Sequence, residues 1–598
     1  MNMNIAALKQ AYGSGELTPR VLIQNILEKS RQKAEHNIWI YQLSEAELEG
    51  YLQEIEQRSP DELPLWGIPF AIKDNIDLAG VPTTAGCEAY AYLPERSAPV
   101  VEQLIAAGAI PLGKTNLDQF ATGLNGTRSF HGACRNAFDP DYISGGSSSG
   151  SAVAVALGLA SFSLGTDTAG SGRIPACFNN LVGLKPTRGL LSTRGVVPAC
   201  RSLDCVSVFA LNVDDANQVL AAAEAEDPQD GFSRANRFAN SARHFGIRTG
   251  TLRVGVIPER QLSFFGDASY QQAYLDTLEK LEDDGFQLIE VDYEPFDEVA
   301  RLLYEGPWVS ERYIAMEAVL KRSPDAVHPV VRKIVEAGES PAATALFRAQ
   351  YRLEELRKHC LGQLETLDCL LTPTAGRLFT IDEMLAEPVQ YNSQLGYYTN
   401  FMNLLDLAAV AVPTAFTAAG LPFGISLVGK AFSDRALLTM ANRIQRLIPL
   451  PQGRDQVHHQ SVAATVTTSR ENIDVMVCGA HLDGQPLNWQ LRERGATLKS
   501  ATRTAPIYRM YALAGGPPLR PGLVLDEAAG TAIEVEVWSV PAQEFGSFVA
   551  GIPAPLGIGK VQLEQGGEVS GFICEPYGLE GAEEISAFGG WKRWLASR

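Results

Sequence analysis

Short, wholly apolar runs alternate with longer amphipathic segments up to about Arg446, and this alternation leaves the chain few folds to choose from. Gly67-Ile68-Pro69-Phe70-Ala71-Ile72-Lys73 is one such run, and Ala109 to Gly113 is another. A continuous apolar run has the pattern of a strand buried on both faces, which requires helices above and below the sheet. The intervening segments can supply them. Leu17-Thr18-Pro19 opens one helix, with Thr18 as N-cap and Pro19 at the first helical position, and Val100 to Gly108 forms another. The expected class is α/β, a sheet covered by helices, with residues 1–58 read as helical.

At 598 residues the chain exceeds what one core usually supports. Periodicity fails between Gln452 and Asn472, where Ser, Thr, Gln and His459 predominate, and this stretch reads as a linker. Beyond it Val475–Cys478, Ile533–Trp538 and Val561–Leu563 are short β-like runs set between Gly and Pro turns. The expected division is a domain over 1–450, a linker over 451–470, and a small, mostly β (α+β) domain over 471–598.

A formal charge of −19 argues against nucleic acid or an anionic membrane as partner, since phosphate binding needs a basic face. An anionic substrate stays possible, because one buried arginine can override the global charge. No apolar stretch reaches about 18 residues, and Met1 to Arg20 lacks the apolar core of a signal peptide. The nine cysteines stand singly, with no C-x-x-C pair, which fits reduced thiols in a cytoplasm and no zinc site. No metal or cofactor is expected.

Two loops carry the unusual residues. Gly145-Gly146-Ser147-Ser148-Ser149-Gly150-Ser151 precedes an apolar helical stretch, Ala152 to Leu159. No Lys-Ser/Thr follows its last glycine, which disfavours a phosphate-binding P-loop. Gly146-x-Ser148-x-Gly150 matches a nucleophile elbow, but Phe138 to Tyr142 is a poor strand to precede one. In the second loop, Gly165 to Arg173, small residues surround Ser171. The N–H groups of Thr168, Ala169, Gly170 and Ser171 could converge there as an oxyanion hole. Asp167 and Arg173 read as a structural pair. A nucleophilic serine needs a base. His131 is the histidine nearest in sequence, yet Lys73, at the end of a buried strand, is the better candidate, because desolvation favours a neutral amine.

Together these segments resemble the amidase signature family. The resemblance rests on Gly67 to Asp74, Gly113-Lys114-Thr115-Asn116-Leu117-Asp118-Gln119-Phe120-Ala121, the Gly/Ser loop, and Asp167 to Arg173, in that order, over roughly residues 1–445. It implies a mixed central sheet and a Ser–cis-Ser–Lys triad: Ser171 as nucleophile, Ser147, 24 residues earlier, as the bridge, and Lys73 as base. Ala169 and Ser149 stand where the family more commonly has glycine, which hints at a subfamily. Leu303 to Tyr313, Gly396 to Asp406, Gly479 to Asn488 and Pro553 to Gly559 are similar to allophanate hydrolases.

That resemblance implies hydrolysis of allophanate, the carboxylated urea made by urea carboxylase, to ammonia and carbon dioxide. It points to Arg312 and Tyr304 as carboxylate anchors, with the backbone of Gly123 or Gly126 lining the pocket. Their spacing of eight would put Tyr304 and Arg312 near one face of one helix. It also matches His481 to a histidine assigned to decarboxylation of N-carboxycarbamate by the C-terminal domain, against the plainer reading of that domain as a scaffold. A homodimer is expected. The competing readings are an amidotransferase subunit that hands ammonia to a partner, a general small-amide amidase, a nucleotide-binding module, and an esterase centred on Ser148.

Overall fold

Eleven strands of the computed structural model form one sheet. They are β1 (Trp39–Gln42), β2 (Pro69–Lys73), β3 (Ile110–Thr115), β4 (Phe162–Asp167), β5 (Val182–Lys185), β6 (Cys205–Ala210), β7 (Leu252–Val256), β8 (Phe286–Glu290), β9 (Cys369–Pro373), β10 (Leu407–Phe416) and β11 (Pro422–Lys430). Their order is β1-β3-β2-β4-β6-β5-β10-β11-β9-β7-β8. The structure describes residues 2–246, 251–454, 457–458 and 472–598.

The sheet is mixed. β2 runs parallel to β3 and β4, and β7 parallel to β8 and β9, while β4–β6, β5–β6, β5–β10 and β10–β11 are antiparallel. Every residue of β2, β3, β4, β6 and β9 is buried, as the apolar runs require. Helices Ser149–Ala156, Val213–Ala223 and Asp434–Leu447 are among those that pack on it.

Thr18 caps helix Pro19–Gln32 by accepting from the Val21 N–H at 3.3 Å. The N-terminal reading needs one correction, because Trp39–Gln42 is an edge strand and not a helix. It pairs antiparallel with β3, and a four-residue edge strand gives too short an alternation to be recognised.

The described residues fall into two compact units, one up to 458 apart from 237–239, the other comprising 472–598 with 237–239. Within the expected linker, Pro451–Gln452 pairs with Val457–His458, and 455–456 and 459–471 lie outside the described residues. The second unit has a five-stranded sheet, ordered Thr497–Arg503, Glu534–Pro541, Asn472–Val477, Glu568–Cys574, Leu556–Gln562. A three-stranded sheet accompanies it, and Trp538, Trp591 and Trp594 fill its core. This is the small, mostly β domain expected from the runs beyond 471.

Candidate functional site

The parallel neighbours β2 and β4 end side by side, and their C-terminal ends carry the chemistry. Lys73 is the last residue of β2. Asp167 ends β4, and the loop to helix Ile174–Phe178 holds Ser171. Ser147 follows a cis peptide bond from Gly146 and lies just before helix Ser149–Ala156.

Three side chains form a hydrogen-bonded line. Lys73 Nζ stands 2.7 Å from Ser147 Oγ, and Ser147 Oγ stands 2.9 Å from Ser171 Oγ. Lys73 and Ser147 are 0% exposed and Ser171 is 3%, so the far end of the line is the one a substrate can reach. Lys73 Nζ also donates to Thr166 Oγ1 at 2.8 Å. Burial pulls the Lys73 pKa down to about 7, against the opposing pull of Asp118, Asp204 and Asp167. A neutral amine beside a serine can accept that serine's proton.

The Ser171 loop is held from below. Arg173 pairs in a fork with Asp167, Nη2 to Oδ1 at 2.8 Å and Nε to Oδ2 at 2.9 Å, and Asp167 Oδ2 also accepts from the Gly172 N–H at 2.9 Å. These two residues therefore form the structural pair read from the sequence. Arg173 Nη1 donates to the Thr399 carbonyl at 3.1 Å, and Asn403 Nδ2 to the Asp167 carbonyl at 2.8 Å. The segment Gly396–Asp406 thus braces the loop. Gly170 has φ +147°, and a Cβ there would lie 2.4 Å from Thr399 Oγ1, so the close approach demands glycine. Among the described residues, the N–H groups of Ala169, Gly170 and Ser171 have no acceptor, while the Thr168 hydroxyl donates to Asp204.

Arg312 is buried beside this centre. Nη1 donates to the Ala121 carbonyl at 3.3 Å and to Thr122 Oγ1 at 3.1 Å, and Nη2 donates to the Tyr304 hydroxyl at 3.2 Å. Its Nε has no partner, and no carboxylate pairs with it among the described residues. Tyr304 and Arg312 do not share a helix, contrary to the spacing argument. Helix Glu294–Glu305 ends before Gly306-Pro307, and helix Val309–Arg322 begins after it. Proline supplies no N–H and clashes with the preceding turn, so one helix cannot continue through it. The two side chains meet all the same, across the break.

The turn beneath Arg312 is organised by Asp118. Its carboxylate accepts from the N–H groups of Asn125, Gly126 and Arg128 at 3.1, 3.1 and 3.0 Å. The Gly126 N–H is thereby taken, whereas Gly123 keeps its N–H without an acceptor among the described residues. Arg128, also buried, donates to the Thr122 carbonyl at 3.0 Å and the Pro388 carbonyl at 2.6 Å. Asp118, Arg128, Thr166 and Asp204 escaped the sequence reading. Asp118 lies inside a quoted motif, but its partners are backbone groups seven to ten residues on, which leave no compositional trace.

The competing sites are occupied by structure. Ser148 Oγ donates to the Thr166 carbonyl at 3.1 Å and accepts from the Thr166 N–H at 3.3 Å, so it staples two segments together. The Gly150 N–H donates to the Asn116 carbonyl at 3.0 Å, which removes a donor from any phosphate cradle there. No hydrogen bond joins the His131 ring to Ser147 or Ser171 among the described residues; Lys73 holds that place.

A family model described as amidase matches residues 22–438, most of the chain. The chain belongs to the amidase family. A second model, the allophanate hydrolase C-terminal domain, matches 473–596. The urea amidolyase of Saccharomyces cerevisiae is 42% identical over 593 residues, covering 96% of this chain and 32% of that protein. The chain therefore spans about a third of the length of the curated relatives it matches first. A Kluyveromyces lactis allophanate hydrolase structure is 40% identical, with a TM-score of 0.74, and covers 98% of both chains. A glutamyl-tRNA(Gln) amidotransferase subunit from Prochlorococcus marinus is 34% identical over 412 residues, covering 64% of this chain and 84% of that one. This amidase-family chain thus shares nearly its whole length with the allophanate hydrolase, but about two thirds of it with the amidotransferase subunit.

Proposed function

We propose that the chain hydrolyses allophanate, with Ser171 as nucleophile, Ser147 as bridge and Lys73 as base. The observation that carries the reading is the buried Lys73–Ser147–Ser171 line, which ends at its most accessible member. Neutral Lys73 takes the proton of Ser147 as Ser147 takes that of Ser171. Ser171 Oγ attacks the terminal amide carbonyl, and the oxyanion forms against the N–H groups of the 168–171 loop. Such donors are worth about 2.7–4 kcal/mol each. Ammonia leaves, water hydrolyses the acyl-enzyme, and N-carboxycarbamate is released.

The substrate's carboxylate faces the Arg312 guanidinium, with the Tyr304 hydroxyl and the Gly123 N–H beside it. A buried guanidinium without a carboxylate partner supports an anionic ligand. The C-terminal unit then acts on N-carboxycarbamate, with His481 supplying the proton that decarboxylation consumes. Urea carboxylase is the functional partner, as the source of allophanate. All nine cysteines are buried and none forms a disulfide, which supports a reducing, cytoplasmic setting. The exposed Leu346, Phe347 and Tyr351 on helix Ala343–Gln363 support a homodimer, which light scattering of the purified chain would test.

The deciding experiment is ammonia release from allophanate by the purified chain and by Ser171→Ala. Turnover by the wild type, lost in the variant, upholds the reading. An amidotransferase subunit would instead need a partner for ammonia transfer, and the C-terminal unit weighs against that reading.

A further inference from the structure

We propose that Asp204 is a positioning residue for the acylation of Ser171: through the Thr168 hydroxyl it aims the oxyanion loop. The proposal deepens the functional reading and rests on it for the identity of the substrate. Its basis is a register. β4 and β6 pair antiparallel, with Asp167 opposite Cys205 at the last rung. Thr168 leaves β4 one step beyond that rung, and Asp204 enters β6 one step before it. The two therefore stand across from each other, where facing side chains can meet. There the Thr168 hydroxyl donates to Asp204 Oδ1. Thr168 is 2% exposed and Asp204 4%.

The same carboxylate closes the turn that carries it. Oδ2 accepts from the Ala199 N–H at 2.8 Å and Oδ1 from the Cys200 N–H at 3.2 Å, while the Asp204 N–H returns to the Cys200 carbonyl at 2.9 Å. Burial pushes the carboxyl up to about 6, against these hydrogen bonds and the field of Arg312, so it is ionised where Lys73 is neutral. The turn is anchored at a second point. The Ser202 N–H donates to Glu311 Oε2 at 2.8 Å and its hydroxyl to Oε1, and Cys200 Sγ donates to the Trp308 carbonyl at 3.6 Å. Glu311 precedes Arg312 on helix Val309–Arg322. One short turn thus grips the oxyanion loop through Asp204 and the helix of the carboxylate anchor through Ser202.

Thr168 shares a peptide plane with the Ala169 N–H, so pinning its side chain restricts where that donor points. The N–H groups of Ala169, Gly170 and Ser171 have no acceptor among the described residues. Beyond them the Gly172 N–H is held by Asp167 Oδ2. The three donors therefore lie between two fixed points, and Asp204 holds the first. Such donors bind the oxyanion more strongly than the ground-state carbonyl, so releasing one end costs kcat and leaves KM nearly alone.

Asp204→Asn keeps the shape but has one acceptor oxygen where the carboxylate has two. Thr168→Val keeps the branched shape and loses the hydroxyl, and Thr168→Ser keeps the hydroxyl. Ammonia release is measured well above the Lys73 pKa of about 7, where the amine is neutral. Asp204→Asn and Thr168→Val are each expected to lower kcat by about 10- to 100-fold, part of what losing a whole oxyanion donor costs, with KM changed by less than about threefold. The double variant should be no slower than the slower single one, and Thr168→Ser should lose far less kcat than Thr168→Val. Thermal melts check folding, and if Asp204→Asn is unfolded, the two Thr168 variants decide. A raised KM at constant kcat, multiplying losses in the double variant, or Thr168→Ser as slow as Thr168→Val overturns the proposal. The rate at which a small alkyl fluorophosphonate labels Ser171, with loss of fluoride, is read alongside, because its phosphoryl oxygen meets the same donors without allophanate. Labelling of the wild type that Asp204→Asn and Thr168→Val both slow, with no ammonia release from allophanate, sinks the functional reading and leaves the role of Asp204 standing. Labelling that neither substitution slows overturns the proposal, and a wild-type chain that is neither labelled nor active overturns both.

Discussion

Tyr304 and Arg312 meet across a broken helix: the guanidinium donates to the phenol at 3.2 Å and its carbon stands 5.1 Å from the ring centroid. The phenol on one side, and the Ala121 carbonyl with the Thr122 hydroxyl on the other, fix the plane of the guanidinium. A planar fork held in this way can meet both oxygens of a carboxylate, which a lysine cannot do.

Arg312→Lys is therefore expected to raise KM for allophanate by about 10- to 100-fold, with kcat changed much less, since a charge-assisted hydrogen bond contributes about 1.5–3 kcal/mol. Tyr304→Phe, which keeps the ring and loses one acceptor, is expected to raise KM less. Steady-state ammonia release measures both. An unchanged KM in Arg312→Lys would move the carboxylate anchor elsewhere.

The Lys73 pKa of about 7 sets a pH dependence. Below it the amine is protonated and has no lone pair for the Ser147 proton, so kcat should fall about tenfold per pH unit and level off above. The same shift bears on stability. The unfolded lysine keeps its ordinary value of 10.5, so between about 7 and 10.5 the unfolded chain binds the extra proton and folding stability from this group rises with pH. A pH–rate profile without an acid limb near 7 would remove Lys73 as the base.

Ser171→Ala, Lys73→Ala and the double variant are expected to lose ammonia release to a similar extent. In the proposed mechanism the three side chains act as one relay, and removing a second member after the first costs little more. Independent, multiplying losses would mean that Lys73 and Ser171 serve separate steps.

Lys73 and Ser171 can be singled out from the chain alone because each stands in a strong local signal, whereas Ser147 is picked out from its neighbours Ser148 and Ser149 only by the resemblance to the amidase family. Lys73 closes an apolar strand, and Ser147 and Ser171 sit in loops of small residues. The edge strand Trp39–Gln42 cannot, since four residues give no readable period. A spacing of eight puts Tyr304 and Arg312 on one helix only when the break at Gly306-Pro307 is ignored. Arg128 and Asp118 stay hidden for another reason. They act on backbone groups that the fold brings together, and a charged residue in a sequence looks the same whether it is solvated or buried.

Arg128 offers the last test. Its guanidinium is buried, has no carboxylate partner among the described residues, and ties the Thr122 carbonyl to the Pro388 carbonyl, which fixes the turn that holds Arg312. Two effects oppose each other on replacing it with methionine. A desolvated cation is removed, which stabilises the fold, while the buried Thr122 carbonyl loses its donor at about 1–3 kcal/mol and the half-buried Pro388 carbonyl loses its donor at less. These terms offset, so a small change in Tm is expected. Catalysis has no such compensation: with the 121–122 turn loosened, Arg312 loses its fixed plane, and KM for allophanate should rise well beyond what the change in Tm accounts for. Arg128→Lys, which keeps the charge but cannot span both carbonyls, should resemble the methionine variant in KM. Normal KM in both variants would show that Arg312 is positioned by Tyr304 alone.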